Sequence, residues 1–226
     1  MNYRMIIKSL GNVLGIEAAC MIPSLLVSLI YRQGDAMAFL ITIAILALLG
    51  LVLRQVKTVT NDIYTRDGFA IVALGWLMVS FFGALPFVIS GAIPSAIDAF
   101  FEASSAFSTT GASIARNVEA LPKGVLFWRS FAHWMGGMGV LVLMIAILPS
   151  VKANRLHIIK AETPGPVPEK FVPKVGQVAK ILYMIYIAMT VMEVIFLLVG
   201  GMPLYDSLIH AFGTASTGGF SNRNAS

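Results

Sequence analysis

Two short segments rich in threonine and glycine carry the chemistry of this chain. They read DAFFEASSAFSTTGAS from Asp98 to Ser113 and DSLIHAFGTASTGGFS from Asp206 to Ser221. At one constant offset and without a gap, Asp98 meets Asp206, Ala103 meets Ala211, Thr109 meets Thr217, Gly111 meets Gly219 and Ser113 meets Ser221. Small residues keep bulk away and glycine frees the backbone, so that carbonyls can point at an ion and replace its water. This is what an ion-selectivity filter requires. The candidate ion-binding residues are therefore Thr109, Thr110 and Gly111 in the first copy and Thr217, Gly218 and Gly219 in the second. Either copy alone reads equally as a Thr-rich bend that packs helices. The duplication argues against that.

The elements that must position these segments are membrane helices. The chain of 226 residues is 58% hydrophobic and 12% charged, with a mean hydropathy of +0.84, which excludes a soluble globular domain. A hydrocarbon core of about 30 Å takes about 20 helical residues. Ala36–Leu53, Phe69–Ala96 and Ser130–Val151 contain no Asp, Glu, Lys or Arg, while Leu10–Tyr31 is interrupted only by Glu17 and Ile181–Tyr205 only by Glu193. The expected fold is an all-α polytopic membrane protein with five full spans and two half-helices, at about 96–107 and 203–213.

A re-entrant path follows. Pro94 and Ser95 provide a start signal, and Asp98 falls in the first turn, where a carboxylate suits the helix dipole. Ile97–Phe107 is too short to cross, so it dips in and hands over to Ser108–Ser113. Its C-terminal end then carries partial negative charge toward the axis, which favours a cation over an anion.

Basic residues set the orientation. Arg4, Lys8, Arg54, Lys57, Arg66, Lys152, Arg155, Lys160, Lys170 and Lys174 fall on segments that alternate to one side. Arg32, Arg116, Lys123, Arg129 and Arg223 fall on the other. The N-terminus is expected in the cytoplasm, with both Thr-Gly segments opening outward. The net charge of +5 then reflects topology and contact with anionic lipid, and no basic motif interleaved with aromatics points to nucleic acid. Nothing in the first residues reads as a cleaved leader. Cys20, the one cysteine, reads as a small buried hydrophobe.

Two intramembrane charges need partners. Glu193 and Arg129 are expected at similar depth as buried structural charges that meet each other, and Glu17 has no evident partner. Gly136, Gly137 and Gly139 read as close helix packing. His133 and His210 read as hydrogen-bonded packing residues, because no further ligand stands at metal spacing. A rival reading, an intramembrane serine protease, takes Gly111-Ala112-Ser113 as a G-x-S nucleophile turn. It leaves the second copy unexplained, and Ser113 runs on into the polar IARNVEALPKG. No enzymatic activity is expected.

The stretches FFEASSAFSTTGAS, WRSFAHWMGGMGV, KAETPGPVPEKFVPKVGQVAKILYMIYIAMTVMEV and HAFGTASTGGFS, in that order, resemble the Trk/Ktr/HKT superfamily of potassium uptake proteins, its bacterial Trk/Ktr branch most of all. The resemblance implies span–pore helix–filter–span repeats of the potassium-channel-like type, preceded by two extra helices. It divides the chain into a two-span preface at 1–66, a first repeat at 67–151, a Pro-rich cytoplasmic loop at 152–174, and an incomplete second repeat at 175–226. It also implies K⁺ as the transported ion, a homodimer, a cytosolic nucleotide-binding regulatory subunit, and the bacterial inner membrane as the location. In the resembling plant transporters a serine at the first-repeat glycine goes with Na⁺ preference. Family members carry four repeats around one pore, whereas this sequence holds one and a half. The expectation is an N-terminal fragment, and a non-conducting assembly subunit is the alternative for the chain taken by itself.

Overall fold

The structure, a computed structural model, describes residues 2–57, 65–139 and 175–224. Among the described residues the regular structure is entirely helical: α1 (Tyr3–Cys20), α2 (Ile22–Tyr31), α3 (Ala36–Arg54), α4 (Thr65–Gly83), α5 (Leu85–Ile89), α6 (Ala96–Phe107), a 3-10 turn at Val118–Ala120, α7 (123–139), α8 (Val175–Val199) and α9 (Leu204–Ala215). Among the described residues four stretches are long and apolar enough to cross a membrane: Tyr3–Tyr31, Ala36–Arg54, Arg66–Ile89 and Val178–Val199. The expected fourth span, Ser130–Val151, overlaps α7; residues 140–151 and the Pro-rich loop lie outside the described residues.

Local chemistry moves several expected boundaries. The first span begins at Tyr3 rather than Leu10, because the Asn2 side chain caps the helix by accepting from the Met5 N–H and Ile6, Leu10 and Leu14 already face the interior. Pro23 sits in the first turn of α2, where its missing N–H costs nothing, so α1 and α2 continue as one span around Met21. The third span stops at Ile89, ahead of the turn that leads to Pro94. The last stops at Val199, ahead of the Gly-Gly-Met-Pro run that ends at Pro203.

The interior gathers α1, α3, α4, α5, α6 and α7. Leu14, Phe39, Leu46, Phe87, Ala103, Phe107, Val125 and Trp128 form one buried cluster. The Trp128 indole reaches across it and donates to the Gly83 carbonyl at 2.9 Å, which satisfies its one polar atom. Outward faces are apolar instead: Ile30 is 75% and Val199 82% exposed, which is tolerable against lipid or further helices and not against water. α8 docks on α7 through polar contacts. Tyr186 Oη donates to the Trp134 carbonyl and Trp134 Nε1 to Thr190 Oγ1, each at 3.0 Å.

The two ends of the bundle differ. At one, the Asn2 N–H donates to Asp67 at 3.1 Å and Arg54 reaches the Asn12 carbonyl. At the other, Lys123 gathers the connections. Its N–H donates to Gln33 at 2.6 Å, its carbonyl accepts from Tyr205 Oη at 2.7 Å, and its ammonium stands 3.9 Å from the Tyr31 ring centroid.

Candidate functional site

α6 and α9 are both 12 residues long and end in the same way. After α6, the Thr109 N–H donates to the Ala106 carbonyl at 3.1 Å and the Thr110 N–H to the Ser105 carbonyl at 3.0 Å. After α9, the Thr217 N–H donates to the Thr214 carbonyl at 2.9 Å and the Gly218 N–H to the Gly213 carbonyl at 3.1 Å. This is the Schellman arrangement, in which the residue after the helix turns left-handed. Glycine usually takes that position. Here threonine does, with φ of 56° at Thr109 and 60° at Thr217, a conformation that costs an L-residue about 1–2 kcal/mol. Two residues on, Gly111 and Gly219 are left-handed again, at 75° and 77°. The sequence duplication is thus a backbone duplication, residue for residue, and alternation of handedness turns successive peptide planes over.

The two copies touch. A Cβ on Gly111 would overlap the Gly218 carbonyl oxygen, whereas a Cβ on Gly219 would meet nothing within 4 Å. Of the six candidate ion-binding residues, Gly111 and Gly218 therefore meet directly, and Thr109, Thr110, Thr217 and Gly219 flank that contact along the chain. Ser108 and Thr110 hydroxyls lie 2.7 Å apart.

Helix α7 stands behind the junction, and Arg129, His133, Gly136 and Gly137 meet it there. Arg129 is buried, as expected, at 3% exposure, but its partner is not Glu193. Its Nε donates to Glu102 of α6, which is fully buried. Glu193 lies partly exposed on α8, and among the described residues no ion pair joins it. The correction has a physical reason. Glu102 sits on the inner face of a short half-helix and must be neutralised there, and it is already oriented by Ser113 Oγ at 2.9 Å and the Ile114 N–H at 2.8 Å. Glu102 was missed as a site residue. The signal for it was a carboxylate one turn beyond Asp98, on a half-helix with no solvent face to spare.

Arg129 also donates through Nη1 to the Ser221 carbonyl at 3.0 Å and lies 3.6 Å from the Phe220 ring centroid. One guanidinium thus ties the exit of the first copy to the exit of the second. One turn further along α7, the fully buried His133 ring faces the Thr109 backbone, occupies the space a Gly218 Cβ would need, and lies 4.5 Å from the Phe220 ring. Another turn on, Gly136 lets α7 approach so closely that a Cβ would overlap the Phe107 carbonyl. The expected close packing of Gly136 and Gly137 is present: a Cβ on Gly137 would stand 2.5 Å from Tyr186 Oη and 3.2 Å from Ser216 Cα. Ser113 has its hydroxyl committed to Glu102 and the Ala115 N–H, with no histidine among its partners, so among the described residues the G-x-S nucleophile reading finds no base. Among the described residues no group of three metal-ligating side chains assembles.

Apolar helices of membrane-crossing length, with two short helices that turn back through paired left-handed Thr-Gly bends, define a polytopic membrane protein with duplicated re-entrant segments. A family model described as TrkH, cation transport protein, matches residues 35–226, and the chain belongs to that family. It is 38% identical over 232 residues to the Trk system potassium uptake protein TrkH of Vibrio parahaemolyticus, covering 100% of this chain and 47% of that protein. It is 37% identical to the protein of the same name from Halomonas elongata, covering 100% of this chain and 48% of the relative, and 31% identical to the Trk system potassium uptake protein TrkG of Escherichia coli, covering 99% and 47%. The crystal structure of the potassium transporter TrkH from Vibrio parahaemolyticus superposes with a TM-score of 0.84 at 35% identity, over 100% of this chain and 46% of that one. The chain spans about half the length of the relatives it matches.

Proposed function

We propose that this chain supplies two neighbouring walls of a K⁺ uptake pore, in which the carbonyls of Thr109–Gly111 and Thr217–Gly219 coordinate the ion. The observation that carries the reading is the matched pair of left-handed steps in both copies, Thr109 with Gly111 and Thr217 with Gly219. Peptide planes that flip between right- and left-handed residues bring successive carbonyls to one side, the arrangement that replaces an ion's water. The names of the relatives, all potassium uptake proteins, support K⁺ as the ion.

On this reading residues 1–66 are a two-span preface, 67–151 one repeat, 152–174 a cytoplasmic loop, and 175–226 the start of a second repeat within a four-repeat translocation subunit. The subunit sits in the bacterial inner membrane with its N-terminus in the cytoplasm and pairs as a homodimer. A cytosolic nucleotide-binding subunit docks on the basic loop around Arg155, Lys160, Lys170 and Lys174, which lie outside the described residues.

Gly111→Ser in the complete protein tests the filter. A Cβ there meets the Gly218 carbonyl and adds a hydroxyl beside it, so the K⁺/Na⁺ uptake ratio should fall by about tenfold, which takes only about 1.4 kcal/mol. An unchanged ratio with unchanged uptake removes these segments from the ion path.

A further inference from the structure

His133 has no part in the reading above, yet it is the side chain wedged between the two copies. It is fully buried on α7. Its imidazole faces the Thr109 backbone of the first copy on one side, and on another it fills the volume beside Gly218 of the second. The Phe220 ring closes over it at 4.5 Å, meeting it edge to face at 76°. Arg129, one turn away on the same face, fixes the exits of both copies through Glu102 and the Ser221 carbonyl. Gly136 and Gly137, about one turn in the other direction, seat α7 against Phe107, the last residue of α6, and Ser216, the residue that caps α9. Residues three and four apart on a helix share a face, so α7 presents one continuous ridge to the seam, and His133 is the part of it at the level of Thr109 and Gly218.

We propose that His133 is a positioning residue for ion selectivity: its ring is the spacer that sets how far the Thr109 and Gly218 backbones stand apart. This rests on the filter reading of the two segments. The physical basis is close packing. On the cavity-size account of selectivity, a filter that discriminates K⁺ from Na⁺ holds its carbonyls against collapse onto the smaller ion, and backbone cannot be held from the front, where the ion passes. It is held from behind, by a side chain with no space to move. An imidazole is flat and rigid beyond two torsions, and neither nitrogen of the His133 ring has a hydrogen-bond partner among the described residues, so packing rather than the expected hydrogen bond holds it here. Gly218 is glycine on the same account. Its φ lies outside the left-handed range, so its backbone accepts a side chain, and the three atoms nearest to where the Cβ would go all belong to the His133 ring.

The reciprocal size relation gives the experiment. In the complete protein, K⁺ and Na⁺ uptake are measured for His133→Ala, for Gly218→Ala and for the two combined. His133→Ala empties the spacer position and Gly218→Ala overfills it, and each should lower the K⁺/Na⁺ uptake ratio by about tenfold. Together the new methyl occupies part of the space the ring vacates, and the ratio should return to within about threefold of the unmodified protein. Losses that multiply in the double variant, or a His133→Ala protein with its ratio unchanged, overturn the spacer. If a single variant fails to accumulate in the membrane, accumulation is the readout: recovery in the double variant supports the spacer and continued absence overturns it. The outcome separates from that of the filter itself. A Gly111→Ser protein with altered selectivity beside a His133→Ala protein without it sinks the spacer alone, whereas no effect of Gly111→Ser sinks both.

Discussion

Arg129 donates its Nε to Glu102 with both side chains buried, and that ion pair joins α7 to the first half-helix at the point where the Thr-Gly segment leaves it. The pair is not isolated. Glu102 accepts from Ser113 and Ile114, and Arg129 continues to the Ser221 carbonyl. Both Glu102 oxygens accept hydrogen bonds, which is the condition under which a buried pair holds a structure together rather than weakening it.

Removing Arg129 should therefore be worse than removing the charge of Glu102. Arg129→Gln leaves a buried carboxylate with two hydrogen bonds and no counter-charge, at a cost of about 3–5 kcal/mol. Glu102→Gln leaves Arg129 its Ser221 carbonyl and the Phe220 ring. In a double-mutant cycle on the purified complete protein, followed by thermal unfolding in detergent, the two should couple by at least about 1 kcal/mol. The same cycle run between Arg129 and Glu193 should give additive effects. Coupling to Glu193 instead would return the pairing to α8.

The contrast between those two cycles shows what a sequence of this kind reveals. Four of the five expected spans and both half-helices were legible because apolar length and Pro/Gly punctuation are local, and the half-helix expected at 96–107 matches Ala96–Phe107. The duplicated Thr-Gly segments were legible because the repeat is in the letters. What escaped was lateral. Arg129 has two carboxylates at plausible depth, Glu102 and Glu193, and only the packing of α7 against α6 decides between them. The left-handed threonines escaped for a different reason: propensity assigns that position to glycine, and both copies place threonine there. His133 looked like any packing histidine, since nothing in its own neighbourhood of sequence names Thr109 or Gly218.

Glu17 is the opposite case to Arg129. It is buried at 4% exposure beside Gly83 and Phe107, and neither carboxylate oxygen has a hydrogen-bond partner among the described residues. A carboxylate held that way gains nothing from its charge. Glu17→Gln should leave the melting temperature of the complete protein unchanged or raise it. A loss of several degrees would mean that a cation from elsewhere in the complete protein reaches it.

The two ends of the bundle should face opposite sides of the membrane, with Gln55 in the cytoplasm and Ala120 outside. Both are exposed in the structure and neither carries charge, so a cysteine at either position leaves the basic pattern intact. In a Cys20→Ala background, a membrane-impermeant thiol reagent applied to intact cells should label Ala120→Cys and spare Gln55→Cys until the membrane is opened. The reverse pattern inverts the topology.

The last prediction concerns how many copies surround the ion. Gly111 and Gly219 share a left-handed backbone, and alanine at either should lose about 1–2 kcal/mol for that reason alone. Their surroundings in this chain differ. Beyond Gly111 stands the Gly218 carbonyl, a backbone atom that cannot step aside, whereas the corresponding side of Gly219 is open. If the copies are arranged by rotation about one axis, the contact that the second copy makes with the first must recur between the third and the second, and the open side of Gly219 is where a third carbonyl belongs. In the complete protein, Gly219→Ala should then destabilise as much as Gly111→Ala, each by more than the backbone cost, and both should lower K⁺ uptake. A Gly219→Ala protein that loses only about 1–2 kcal/mol while Gly111→Ala loses clearly more would mean that no further copy closes on the second segment, and the ring of equivalent carbonyls would have to be given up.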